Sequence, residues 1–486
     1  MKSALESQTA GRRGRHFAVA GAVSVLLALA LGLALRLWML KEFFNTDGDP
    51  LIYGDLAKNL LLHGSYAQTE GGGALVPALM RLPGYPLFLA LCFRLFGMEN
   101  YVSAAWVQIA LELAGCLLLA DFARRIAPAK LSAGAAHCTL WLAALCPFTA
   151  IYAAEPLTEA PTLFAIALAL WSAARFRSRP GWPSALLLTF AVTFAALLRP
   201  EGGLVAVALA PGMLIGLWHK ADGAVISNKK LARIAVVCVL LALMPFAVWS
   251  WRNWRTFHVF QPLAPRQAIN PDEIPHPGWE RWVKSWCLDF NSTMEVFWNV
   301  PGDTLEMSKL PARAFDSPAQ YDETARLADV YNKNKEMTLE LDASFGRLAD
   351  ERIAAHPLRY YLWLPLGRMT DMWLRPRVEN LPIDLDWWVY EDHEKETCIS
   401  WAYLGLNALY LLLGVAGMRL KPRFWRAMLA YMMMRSALLT TITAPEARYT
   451  LECFPMLFAL GGVALWSGLQ KMGALGKGIA RRRLSA

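Results

Sequence analysis

The sequence predicts an all-α polytopic membrane protein, and three observations carry that expectation. Of its 486 residues, 56% are hydrophobic, and the mean hydropathy is +0.31, which no ordinary water-soluble domain shows. Apolar runs of about 20 residues recur along the chain, each long enough to cross the hydrocarbon core of a bilayer. Lys and Arg collect in alternate short loops between those runs, the pattern of the positive-inside rule. The net charge of +9 is therefore read as topogenic. No basic helix is interleaved with exposed aromatics, so nucleic acid is not an expected partner.

The first run, residues 17–39, follows Arg12, Arg13 and Arg15. It is too long for the apolar core of a signal peptide and reads as an uncleaved first span. An outer loop with Asp47, Asp49 and Asp55 comes next. The stretch 80–96 is apolar but short, contains Pro83, Pro86 and Arg94, and would reverse the charge pattern if it crossed. It is expected to be an interfacial or half-inserted helix. Spans are expected at 101–122, 135–152, 162–174, 185–198, 204–218 and 234–251, with basic inner turns at Arg124-Arg125, at Arg175, Arg177 and Arg179, and at Lys220, Lys229 and Lys230.

From 252 to 397 the composition shifts to charge, Pro and Trp without a clean span, as expected of an outer-face region. Within it, 356–375 is aromatic but broken by Arg359, Pro365, Arg368 and Asp371, which suits a helix lying on the outer leaflet. Spans at 399–417, 427–442 and 451–469 complete an expected ten, with both ends cytoplasmic. The chain thus divides into an N-terminal membrane module (1–251), an outer-face region (252–397) and a C-terminal membrane module (398–486). None of the eight cysteines has a metal-binding spacing. Cys287 and Cys398 are both expected outside the cytoplasm, where a disulfide is compatible with the compartment.

Four polar constellations fall at the outer ends of spans: Asp47/Asp49/Asp55, Arg81 with Tyr85, Glu155/Glu159, and Arg199/Glu201 with Arg448/Tyr449. Ionisable groups at membrane depth are costly and mark function by default. Carboxylates beside arginines suit a reaction that needs a general base for a hydroxyl or amine and fixed positive charge for a phosphate leaving group. Each group also has a plain reading. Asp-Gly and Asp-Pro are turn dipeptides. Glu155 and Glu159 sit where acids start helices. Arg199 and Arg448 are placed to snorkel toward headgroups. His63 reads as structural.

The order of these motifs resembles the GT-C superfamily of polyprenyl-phosphate-sugar glycosyltransferases. It is most similar to the branch of protein O-mannosyltransferases and lipid A aminoarabinose transferases. The resemblance rests on Asp49-Pro-Leu-Ile-Tyr53-Gly54-Asp55-Leu-Ala57, Arg81-Leu-Pro-Gly-Tyr85-Pro86, Thr158-Glu159-Ala-Pro161, Leu198-Arg199-Pro200-Glu201-Gly202 and Glu446-Ala-Arg448-Tyr449. It implies Asp49 as catalytic base, a Glu159 region that organises the donor or a divalent metal, and Arg448 on the lipid phosphate. Asp47 and Glu155 are further candidates for donor organisation, and Arg81, Tyr85, Arg199 and Tyr449 for donor binding. Pro50 stands where the family carries an acid after the catalytic Asp, which puts a metal at the first loop in question.

The expected activity is transfer of a sugar from a polyprenyl phosphate to an acceptor lipid, glycan or protein on the periplasmic face of a bacterial inner membrane. The alternative is a secondary transporter or flippase. Transporters often show repeat symmetry and midplane helix breaks, whereas here the halves differ and the charge sits at the outer boundary.

Overall fold

The computed structural model describes residues 2–218, 227–265, 269–270 and 274–484; Lys220 lies outside them. The fold is helical, with one two-stranded hairpin. It separates into two compact units. One comprises Met1–Ala268, Leu409–Tyr431 and Glu452–Ala486; the other comprises Ile269–Ala408 and Met432–Leu451.

The first unit begins with α1 (Lys2–Phe43), then α2 (Asp49–His63). Gly48 turns the chain between them at φ 71, Pro50 occupies the first turn of α2, and Gly64 ends it in the left-handed conformation. This is the usual proline-in, glycine-out punctuation of a helix. Strands β1 (Ala67–Thr69) and β2 (Leu75–Pro77) pair antiparallel, with Gln68 opposite Val76. There follow α3 (Gly84–Phe96), α4 (Tyr101–Ile126), α5 (Ser132–Ala144), α6 (Pro147–Ala154), α7 (Glu159–Ser178), α8 (Trp182–Leu198), α9 (Leu204–Trp218) and α10 (Asn228–Phe257).

Small residues let these helices approach closely, as membrane packing requires. A Cβ on Gly462 would lie 2.0 Å from Thr139 Oγ1, and one on Gly84 would lie 2.5 Å from the Leu197 carbonyl oxygen. α7 is buried along most of its length. α10 instead exposes Val236, Leu240, Met244 and Val248, a face suited to lipid.

Helices occupy all ten positions where spans were expected, but fewer qualify as spans on their own. Five are long and apolar enough to cross a membrane, or six if a bent pair counts as one. The bent pair is α5 and α6, which meet at 52° because Pro147 cannot continue a helix through its ring. The expected span 135–152 is this broken element. α8 (17 residues) and α9 (15 residues) are short. α7 is long enough, but Glu159, Arg175 and Arg177 dilute its apolar character. α3, with 13 residues, is too short to span alone.

The second unit has its own aromatic core. α11 (Pro277–Lys284) and α14 (Leu339–Ala355) enclose Trp279, Trp282, Trp286 and Phe345, with Trp279 edge-on to Phe345 at 4.9 Å. The Asp342 carboxylate accepts hydrogen bonds from the Gly278 and Trp279 amides at 3.1 and 2.8 Å, so α14 caps α11. A single turn, α12 (Phe290–Ser292), follows, and α13 (Pro318–Asn334) adds Leu327, Ala328 and Tyr331 to that core.

α15 (Leu364–Leu374) extends a π-helical turn at Arg359–Trp363. Leu358, Tyr361, Leu362, Trp363 and Leu366 are exposed along it, while Arg359 forks onto Asp316, both bonds at 2.7 Å. Cys287 is buried, Cys398 is exposed, and both are free thiols, so the disulfide compatible with the sequence is not formed. Burial pushes the Cys287 thiol up to about 12, which keeps it protonated. α16 (Glu394–Arg419), α17 (Trp425–Leu439) and α18 (Phe454–Leu484) end the chain.

Candidate functional site

Asp49 is the first residue of α2, and Arg81 lies just before α3. Arg81 Nη2 donates to Asp49 Oδ1 at 2.8 Å, and both side chains are partly exposed. Tyr53, one helical turn beyond Asp49, places its ring 5.8 Å from the Arg81 guanidinium carbon and edge-on to Tyr85 at 5.0 Å. The buried Tyr85 donates its hydroxyl to Gln108 Oε1 at 2.6 Å. Gln108 Nε2 in turn donates to the Glu155 carbonyl oxygen at 2.5 Å. This chain of bonds ties α3 and α4 to the segment that leads into α7.

Glu159 opens α7 with its side chain buried. Arg199, just past α8, reaches it with Nη2 to Oε1 at 2.7 Å, while Arg199 Nε donates to Thr158 Oγ1 at 2.8 Å. The third nitrogen, Nη1, lies 3.4 Å from Glu452 Oε1. The Tyr431 hydroxyl donates to Glu452 Oε2 at 3.1 Å. One guanidinium therefore bridges two buried carboxylates. Arg199 is thus held inside the protein rather than stretched toward headgroups.

Tyr53 links the two pairs. Burial is the main force raising its hydroxyl pKa, Arg81 and Arg199 oppose that rise, and Asp49 and Glu159 add to it. Asp49, Arg81, Glu159 and Arg199 therefore all lie within electrostatic reach of one phenol, which puts both ion pairs at one locality of the first unit.

The other expected acids of the first unit have different surroundings. Asp55 accepts from the Thr69 amide at 2.6 Å and from the Thr69 hydroxyl at 2.9 Å, so it fastens the hairpin to α2. Asp47 is exposed, in the turn before Gly48. Glu155 is buried and contributes its backbone carbonyl to Gln108. Glu201 lies in the short turn Pro200–Gly203.

Arg448 and Tyr449 belong to the second unit. Arg448 forks onto Glu446, with Nε to Oε2 at 2.6 Å and Nη2 to Oε1 at 3.2 Å. The Tyr449 hydroxyl donates to the same carboxylate. Buried Arg435 donates to the Tyr449 carbonyl oxygen at 3.0 Å.

Gln108, Glu112, Tyr431 and Glu452 were not singled out from the sequence, and Tyr53 stood in the first motif without an assigned role. Gln108 and Glu112 carried a signal: two polar residues one turn apart inside an apolar helix. Glu112 pairs with fully buried Arg36 at 2.5 Å. Arg36 also donates to the Ala144 carbonyl oxygen at 2.7 Å, where α5 breaks. Gln108 and Glu112 thus serve the two ends of α6 from one face of α4. The Asp49 and Glu159 carboxylates are each engaged by a guanidinium.

Comparison with known proteins adds the family context. Residues 77–249 match the family model described as dolichyl-phosphate-mannose-protein mannosyltransferase. The chain resembles the GT-C glycosyltransferases. The matched stretch contains Arg81, Tyr85, Gln108, Glu159 and Arg199, but neither Asp49 nor Arg448.

Among solved structures, the fold is similar to the archaeal oligosaccharyltransferase AglB from Archaeoglobus fulgidus, in complex with an inhibitory peptide and a dolichol-phosphate. The identity is 11% and the TM-score 0.45, over 94% of this chain and 52% of that one. It is also similar to ArnT from Cupriavidus metallidurans bound to undecaprenyl phosphate, with 15% identity and a TM-score of 0.40, over 90% of this chain and 77% of that one. This chain spans about half the length of the AglB structure. No curated protein matches it.

Proposed function

We propose that this protein is a membrane glycosyltransferase that moves a sugar from a polyprenyl-phosphate donor to an acceptor hydroxyl or amine. The active site would face the periplasm of a bacterial inner membrane, with both termini cytoplasmic. The observation that supports this reading best is the gathering of the Asp49–Arg81 and Glu159–Arg199 pairs around Tyr53. An acid–arginine pair partly open to solvent, backed by a second pair held in the interior, supplies a base and a phosphate-binding fork in one place.

Asp49 takes the proton from the acceptor, the acceptor heteroatom forms a bond to the anomeric carbon of the sugar, and the bond from that carbon to the phosphate oxygen breaks. Polyprenyl phosphate leaves with the electron pair. In the ligand-free arrangement Arg81 is bound to Asp49. A donor phosphate competes for that guanidinium, which prefers bidentate phosphate, and so releases the carboxylate to act as base. The Glu159–Arg199–Glu452 cluster holds the floor beneath them. Arg448 is the second phosphate candidate, carried over from the resemblance.

The test is transfer of radiolabel from a panel of polyprenyl-phosphate sugars into membrane acceptors by the purified, reconstituted protein. Incorporation that depends on donor supports the reading. Absence of incorporation with every donor, together with movement of the labelled lipid between leaflets, would move the protein to the flippase class.

A further inference from the structure

Asp384, His393 and Glu396 in the second unit each offer one ligand atom, all three within 4.8 Å of one another. His393 Nδ1 faces Asp384 Oδ2 and Glu396 Oε2, each at 3.6 Å. These separations are too long for hydrogen bonds. They match the edge of a tetrahedron of ligands about 3.3–3.6 Å apart, which follows from zinc bond lengths of about 2.0–2.2 Å. We propose that Asp384, His393 and Glu396 bind a divalent transition ion of the zinc class, with water in the open fourth position.

The charge balance points the same way. Two carboxylates converge on an imidazole, and no Lys or Arg nitrogen pairs with either of them among the described residues. A divalent ion neutralises both acids and leaves the imidazole neutral, which is its ligating form. One imidazole nitrogen with two carboxylate oxygens suits zinc or a neighbouring first-row ion better than calcium, which takes six to eight oxygens.

The surroundings fix the ligands. The Asp384 backbone amide donates to Glu396 Oε2 at 2.9 Å, so the main chain of one ligand residue orients the carboxylate of another. His393 immediately precedes α16, and Glu396 lies in its first turn. The positive end of that helix works against a cation, and the two carboxylates outweigh it. The site is distant in sequence from Asp49 and Arg81, and its role would be structural: it clips the loop that carries Trp387 and Trp388 to the start of α16.

The experiment uses the full chain, purified in detergent with a tag free of histidine, stripped with EDTA and then incubated with equimolar zinc chloride and desalted. Metal per chain is read by inductively coupled plasma mass spectrometry. The proposal expects one zinc retained per wild-type chain, none in His393→Ala or Glu396→Gln, and retention restored in His393→Cys, where a thiolate replaces the imidazole. Size exclusion establishes that each variant is folded, and Glu396→Gln decides the matter should His393→Ala aggregate. A wild-type chain that retains no zinc overturns the proposal. So does a folded Glu396→Gln chain that retains as much as wild type. Either result would leave His393 as a structural residue between two acids.

Discussion

Arg448 and Arg199 look alike in the sequence, each an arginine at the outer end of a span, yet they stand in different surroundings. Arg199 is shared by Thr158, Glu159 and Glu452, and removing it would take the guanidinium from two buried carboxylates. Breaking a buried pair in this way commonly costs about 3–5 kcal/mol, so Arg199→Ala is expected to reduce folding yield before it reports on chemistry. Arg448 pairs with the Glu446 carboxylate, and a phosphate can compete for its guanidinium. Arg448→Ala should weaken use of the lipid donor by about ten- to a hundredfold, the scale of one charge-assisted hydrogen bond of about 1.5–3 kcal/mol. Arg448→Lys, which keeps the charge without the fork, should keep part of that activity, and Glu446→Gln should preserve donor use. Donor titration in detergent measures all three. Wild-type donor dependence in a folded Arg448→Ala protein would assign the phosphate to Arg81.

The acids divide in the same manner. Asp55, a carboxylate in the motif, turns out to fasten Thr69 of the hairpin. Sequence spacing cannot distinguish these acids, because it says nothing of which backbone amide a carboxylate will meet. Asp49 differs from its neighbours in facing a guanidinium.

At the scale of elements, the close approach of α3 and α8 positions both candidate pairs. A Cβ on Gly84 would sit 2.5 Å from the Leu197 carbonyl oxygen and 2.9 Å from the Leu198 amide nitrogen. That backbone cannot yield without moving α8 and Arg199 with it. Gly84→Ala is expected to lower transfer together with thermal stability, by about 1–3 kcal/mol as for overpacking generally. Unchanged melting and activity would show that α3 is free to shift.

α15 offers a second test. Burial raises the Asp371 carboxyl to about 6, with Arg375 opposing the rise. The folded state therefore holds this proton more tightly than the unfolded chain, whose Asp titrates near 4. The associated stability is fully present below about pH 4, fades as pH rises toward about 6, and stays lost above that. The size is roughly 2–3 kcal/mol at most for a shift of about two pKa units. Thermal unfolding from pH 4 to 7 should show this decline in wild type and lack it in Asp371→Asn. An equal pH dependence in both would remove the assignment.

Elements were more legible than partners. Helix occupies all ten apolar runs, one of them in two pieces, because hydropathy over a window of about 20 residues reports withdrawal from water whatever the neighbours are. The break between α5 and α6 was less legible, since Pro147 also suits the first turn of a new helix. The Arg36–Glu112 pair and the Gln108 bridge stayed hidden because they join residues 76 and 47 positions apart, and periodicity carries no information about such pairings.

For the whole molecule, the charge pattern sets an orientation. Reporter fusions near Ala312 and Ala444 should report the periplasm, and fusions near Ala127 and Pro422 the cytoplasm, because Arg124, Arg125, Lys421 and Arg423 resist translocation. A cytoplasmic signal at Ala312 would invert the topology and separate the candidate site from a periplasmic acceptor. The central claim is that Asp49 is the base of a sugar transfer. It is tested most directly by the transfer rate of reconstituted Asp49→Asn beside wild type and Asp47→Asn, with donor binding measured on the same samples. The account predicts that Asp49→Asn binds donor but transfers about 100- to 10,000-fold more slowly, while Asp47→Asn stays close to wild type. An Asp49→Asn protein that transfers at the wild-type rate, or an inactive Asp47→Asn beside an active Asp49→Asn, would contradict it.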